Sequence, residues 1–255
     1  MRRSIFATAP LSVLALLLLA WASPPGTSLG QPGSCAAVCD QGATPEASPA
    51  PVSGAATPAT VAAGPAGVFQ SDALTVELEH GSALLWHAGE RSVILLHGAA
   101  FDAASWEAEA RAIASQGVTV LAMEELSPEA VGEGISYLID VCGASGVVMI
   151  GASAGGAAAL EVLADQPEGI SGLMLLSATG DVAALGEYPK LFVASEDEGL
   201  GEQLAAMAEE APGGQNEALI LPGSAHAQAI FESDQDRALV DAILTFLDET
   251  VMWNG

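Results

Sequence analysis

Residues 146–160, GVVMIGASAGGAAAL, constrain this chain more tightly than any other stretch. Val147, Val148, Met149 and Ile150 make a short, β-branched, apolar run of the length of a buried parallel strand. The run ends at Gly151-Ala152-Ser153-Ala154-Gly155, and the small residues that follow suit a helix packed close to a sheet. A glycine two places before and two after a serine, between strand and helix, permits a turn sharp enough to lift the hydroxyl above the sheet edge. The Ala154 N–H then sits at a helix N-terminus, free to meet a developing negative charge. Alone the pattern is weak, because a chain with 28 glycines makes Gly/Ser turns freely. The question is whether the rest of the chain supplies partners for Ser153.

The segments around it set the fold class. Residues 74–79 alternate apolar and polar, Gly81 makes a turn, and residues 83–86 complete a hairpin. Buried strands follow at 92–96, 118–123, 146–150, 172–176, 190–194 and 218–221. Helical patterns separate them at 102–115, 128–141, 154–165 and 199–211, and an amphipathic helix closes the chain at 234–251. A hairpin followed by alternating strands and helices predicts an α/β fold. Its sheet is mainly parallel, with helices on both faces and an antiparallel N-terminal pair. In such sheets the site lies beyond the carboxyl ends of the strands. His97, Ser153, the acids at 196–198 and His226 each fall just after a strand.

Serine needs a base to take its proton, and the base needs a third group to orient it. Of the four histidines, His80, His87, His97 and His226, the last lies in a loop after the final strand, placed to reach over Ser153. The orienting acid is expected after the strand at 190–194, where Ser195-Glu196-Asp197-Glu198 offers a choice of carboxylates. A nicotinamide-type oxidoreductase would need G-x-G-x-x-G after the first parallel strand, and Gly98-Ala99-Ala100 does not supply it. Nothing in the sequence calls for a metal or an organic cofactor.

From residues 74 to 253 the chain resembles the α/β-hydrolase superfamily. The resemblance rests on Leu95-Leu96-His97-Gly98, Gly151-Ala152-Ser153-Ala154-Gly155, Pro189-Lys190-Leu191-Phe192-Val193 with the acids after it, and Pro222-Gly223-Ser224-Ala225-His226. The order nucleophile, acid, histidine is that of the family. The resemblance implies Ser153 as nucleophile, His226 as general base and then acid, and an oxyanion hole made by the N–H groups of Ala99 and Ala154. Family spacing favours Glu198 as the acid, while residue type favours Asp197. His97 is expected to hold the oxyanion loop. Many members carry a helical cap before the strand that precedes the acid. Here the interval 177–188 is too short for one, so an open site is expected. Trp86, Phe101, Trp106 and Tyr188 are candidates to line an acyl site, or are ordinary core aromatics. The implied activity is hydrolysis of small or accessible acyl esters through an acyl-enzyme, a carboxylesterase. The same triad also serves thioesterases, peptidases and acyltransferases. The reading from a different class is a hydrolase-fold binding protein without catalysis.

Residues 1–23 read as an export signal, with Arg2-Arg3 before an apolar run at 11–22 that is short for a membrane span. Export to the cell envelope or beyond is therefore expected, unless the segment stays uncleaved as an anchor. Residues 24–66 are a Pro/Ala/Gly-rich linker with too little apolar surface to order itself, and residues 67–255 form the hydrolase-like domain. In an oxidising compartment Cys35 and Cys39 can bridge each other, remain free or pair between chains, and Cys142 is expected as a buried thiol. Beyond the signal, four basic residues face 32 acidic ones, and Lys190 is the only lysine. Such a surface repels nucleic acid and anionic lipid and suits high ionic strength. The expected partner is a small-molecule ester.

Overall fold

The computed structural model describes residues 72–251. The segments read as an export signal and a linker, with Cys35, Cys39 and Trp253, lie outside the described residues.

The strands are β1 (Leu74–Leu78), β2 (Gly81–Trp86), β3 (Arg91–Leu96), β4 (Val118–Met123), β5 (Gly146–Ala152), β6 (Ile170–Leu176), β7 (Lys190–Ser195) and β8 (Asn216–Leu221). They form one sheet in the order β1-β2-β4-β3-β5-β6-β7-β8. β1 pairs antiparallel with β2, and β2 antiparallel with β4. Every other pairing is parallel. This is the expected α/β class with its antiparallel N-terminal pair.

Among the described residues, five α-helices flank the sheet: α1 (Glu107–Ala114), α2 (Pro128–Ser136), α3 (Ala154–Leu163), α4 (Gly201–Glu210) and α5 (Asp236–Val251). The period-two alternation of the strands divides the core in two. Val147 and Met149 of β5 join residues of α2, α3 and α4 on one face. Val148 and Ile150 join residues of α1 and α5 on the other. A strand buried on both faces must be apolar throughout, which is why β5 reads as a continuous run.

The ends of the helices follow local chemistry. Ser127 caps α2, its hydroxyl accepting from Ala130 N–H, and Pro128 takes the first turn. Asp102 caps a 3₁₀ turn, Ala103–Trp106, that leads into α1. A π-helical turn, Tyr137–Val141, extends α2 to the end predicted from sequence. A second 3₁₀ turn, Ala227–Glu232, precedes α5 and has no counterpart in the sequence reading.

Lys190 opens β7 fully buried. Its three ammonium protons go to the carbonyl oxygens of Gly186, Tyr188 and Pro212, at 2.7, 2.7 and 2.6 Å. The Nζ also stands 4.6 Å from the centre of the Tyr188 ring. Burial pushes its pKa from 10.5 down to about 8, so the charge persists at neutral pH.

One expectation needs correction, and the choice left open for the aromatics falls to the core for three of the four. Cys142 is not a buried thiol: it is half-buried and disulfide-bonded. Trp86 and Trp106 are not available to line a site. Both are fully buried in the core, and Tyr188, in the connection between β6 and β7, is buried against the core as well. Of the four candidate aromatics only Phe101 is exposed.

Candidate active site

Gly151 and Gly155 shape the turn from β5 into α3. A Cβ at Gly155 would lie 2.2 Å from the Leu96 carbonyl oxygen, and one at Gly151 would lie 2.6 Å from the Gly155 oxygen. No side chain fits at either position, which is the close approach the pattern requires. Ser153 between them takes φ 48° and ψ −108°, a conformation an L-residue adopts only under constraint. Its own N–H donates to Leu176 O of β6 at 2.9 Å, which helps hold it there. The side chain is half-buried at the carboxyl edge of the sheet.

Two loops bring the partners to it. Ser153 Oγ lies 2.9 Å from His226 Nε2, and His226 Nδ1 lies 2.6 Å from Glu198 Oε1. The imidazole side chain is 57% exposed and the Glu198 side chain only 9%, so the line runs from open solvent down to a buried carboxylate. Glu198 ends a 3₁₀ turn, Glu196–Glu198, that follows β7. Its Oε2 accepts from Ser195 N–H and from Ser177 O–H, both at 2.8 Å. Three polar groups thus converge on one carboxylate and fix its orientation.

Asp197, the other candidate acid, is not in this line. It is exposed, because the 3₁₀ turn directs the third residue, not the second, back toward Ser195 N–H. Its contribution is from the backbone: Asp197 N–H donates to Gly223 O at 2.9 Å. Ser195 Oγ donates to Ala225 O at 2.6 Å. Together these bonds stitch the acid turn to the histidine loop.

The two N–H groups expected to form an oxyanion hole lie on two elements. Ala154 is the first residue of α3, where no intrahelical carbonyl reaches its N–H. Ala99 follows Gly98, whose carbonyl accepts from Phe101 N–H at 3.0 Å and from His97 Nδ1 at 2.8 Å. His97 is buried, with Nε2 3.1 Å from Glu124 O, and so braces this loop against the end of β4.

Ser177 was not singled out in the sequence. It is the first residue after β6, buried, at φ 49°. Besides donating to Glu198, its hydroxyl accepts Ala227 N–H at 2.8 Å, next to His226. Ala227 is itself at φ 51°. Ser153, Ser177 and Ala227 are three of the four non-glycine residues with positive φ among the described residues, and all three lie at this rim. The signal available in sequence was its place after a strand at the same sheet edge; the strain was invisible.

Among the described residues, one grouping has the ligand types for a metal: Glu79, His80 and Glu133. It lies at the β1–β2 turn, on the outermost strand pair of the sheet, which β4 and β3 separate from β5. There Glu133 already accepts from His80 N–H and faces His80 Nδ1, both at 2.9 Å, which raises the pKa of the imidazole. It has no connection to Ser153.

No protein-family model and no curated protein matches the sequence. The fold, however, matches solved structures. A proline iminopeptidase from Mycobacterium smegmatis superposes with a TM-score of 0.57 at 12% identity, covering 72% of this chain and 100% of that one. A dienelactone hydrolase from Anabaena variabilis gives 0.57 at 15% identity, covering 69% and 96%. A carboxylesterase from Bacillus subtilis gives 0.54 at 16%, covering 71% and 92%. These are hydrolases of the α/β-hydrolase fold, and the chain described above has that fold.

Proposed function

We propose that this chain is a serine hydrolase, a carboxylesterase that cleaves small or accessible acyl esters through an acyl-enzyme on Ser153. The observation that carries the reading is the hydrogen-bonded line from Ser153 Oγ through His226 to the buried Glu198. His226 Nε2 takes the serine proton as Oγ attacks the ester carbonyl. Glu198 fixes the ring with Nδ1–H toward itself and stabilises the imidazolium that forms. The oxyanion of the tetrahedral intermediate sits between the N–H groups of Ala99 and Ala154. The intermediate collapses as His226 returns the proton to the leaving alcohol, and water then repeats the sequence to free the acid.

Substrate size follows from what covers the site. The β6–β7 connection, residues 177–189, contains no helix. Its apolar residues Val182, Leu185 and Tyr188 are spent on the core, which leaves none to form a lid. Phe101, two residues beyond Ala99, is one of two large apolar side chains exposed among the described residues, the other being Ile220 of β8. Asp102, Glu124, Asp181, Glu196 and Asp197 are exposed on loops at this rim, which disfavours an anionic acyl group. The preferred substrate is therefore a short, uncharged ester. Export by residues 1–23 remains part of the proposal.

The test is hydrolysis of a p-nitrophenyl ester series by wild type and Ser153→Ala. Turnover that falls with acyl length and vanishes in the variant supports the reading. Turnover retained in Ser153→Ala overturns it.

A further inference from the structure

We infer that Gln228 is a positioning residue for the oxyanion hole, an inference that rests on the hydrolase reading above. Gln228 lies two residues beyond His226 and is only 4% exposed. Its Oε1 accepts the Gly98 N–H at 2.7 Å. Its Nε2 donates to Ser105 Oγ at 2.9 Å, and the Ser105 hydroxyl donates on to Asp102 O at 2.5 Å. One buried amide therefore grips both ends of the loop that carries Ala99.

The grip sets the direction of the proposed donor. The Gly98 carbonyl is held by Phe101 N–H and His97 Nδ1. The Gly98 N–H is held by Gln228. With both sides of Gly98 pinned, the next peptide plane has little freedom. A peptide is planar and trans, so the Ala99 N–H points opposite to the Gly98 carbonyl. A Cβ at Gly98 would make only ordinary contacts, with Phe101 at 3.4 Å and Gln228 Oε1 at 3.6 Å, so hydrogen bonds rather than crowding hold this peptide.

The same contact links two parts of the machinery distant in sequence. Gln228 stands on the 3₁₀ turn that begins at His226, where Ala229 N–H donates to His226 O at 3.0 Å. Ser177 holds Ala227 on that turn against Glu198. Gln228 extends the chain of contacts to the oxyanion loop, so base, acid and oxyanion donor are registered against one another through a single turn. Preorganised donors lower the barrier only when they already point at the charge that develops.

The test compares Gln228→Met and Gln228→Glu in the full chain, with kcat and KM on p-nitrophenyl acetate and the melting temperature of each. Methionine keeps the length and removes both polar contacts. Glutamate keeps an oxygen for Gly98 N–H in either protonation state. Outright loss of an oxyanion donor costs about 10²–10³ in rate, and a donor misaimed by Gln228→Met is expected to cost about 10–100-fold in kcat with KM within about twofold. Gln228→Glu is expected to recover most of kcat. A merely structural glutamine would lower the melting temperature of the methionine variant without this split. Wild-type kcat in Gln228→Met, or equal losses of kcat in both variants, overturns the inference. A wild type with no Ser153-dependent turnover removes the hydrolase reading and this inference with it, a result distinguishable from failure of the inference alone.

Discussion

Removal of the Ser177 hydroxyl is expected to uncouple turnover from stability at one position. The hydroxyl donates to Glu198 Oε2 and accepts from Ala227 N–H, each at 2.8 Å. A hydrogen bond to a charged group contributes about 1.5–3 kcal/mol, and a buried N–H left without an acceptor costs about 1–3 kcal/mol. The two overlap, so Ser177→Ala loses about 3 kcal/mol of stability. For a domain of this size each kcal/mol lowers Tm by about 2–4 °C, giving a drop of about 6–12 °C. Ser177→Gly removes the same hydroxyl, but φ of 49° suits glycine and relieves about 1 kcal/mol of left-handed strain. The glycine variant should therefore melt a few degrees above the alanine variant. Both should lose activity alike, about 10–100-fold in kcat/KM, because Glu198 and the His226 turn lose the same restraint. Circular dichroism melts and steady-state ester hydrolysis measure the two effects. Activity that recovers with stability in the glycine variant would refute the reasoning, as would wild-type turnover in both.

Two further outcomes follow from the same geometry. Glu198→Gln should lower kcat by about 10³-fold or more, since the amide cannot stabilise the imidazolium, while Asp197→Asn should stay within about twofold; equal losses on the same ester assay would return Asp197 to the line. Burial pushes the Lys190 ammonium from 10.5 down to about 8. Between those values the unfolded chain holds a proton that the native state has released, so the lysine's contribution to stability rises with pH and is level below 8. The gap in unfolding free energy between wild type and Lys190→Met should accordingly move in favour of wild type from pH 8 to pH 10, as urea melts would show; a gap that stays flat or moves the other way contradicts the assignment.

The fold was legible because its central strands, β3 to β7, are buried on both faces and so read as nearly unbroken apolar runs. β4 was predicted at its observed bounds, Val118–Met123. Ser153 and His226 were legible because glycine and loop chemistry mark the ends of β5 and β8. The choice of acid was not settled by the residues, since Glu196, Asp197 and Glu198 are adjacent and only the phase of a 3₁₀ turn separates them. Ser177 and Gln228 were missed for a related reason. Each is an ordinary polar residue whose role depends on partners far away, Gln228 on Gly98 across 130 positions. Trp86 and Trp106 show the converse, since large aromatics advertise a site but serve the core just as well.

The central claim is that Ser153 is an activated nucleophile. Treatment of the protein with a fluorophosphonate, followed by mass mapping of the modified peptide, tests it without knowledge of the natural substrate. The account predicts a single adduct on Ser153, formed at a rate that drops sharply in Glu198→Gln and abolished in Ser153→Ala. A folded wild-type protein that takes up no label, or carries it on another residue, would contradict the account.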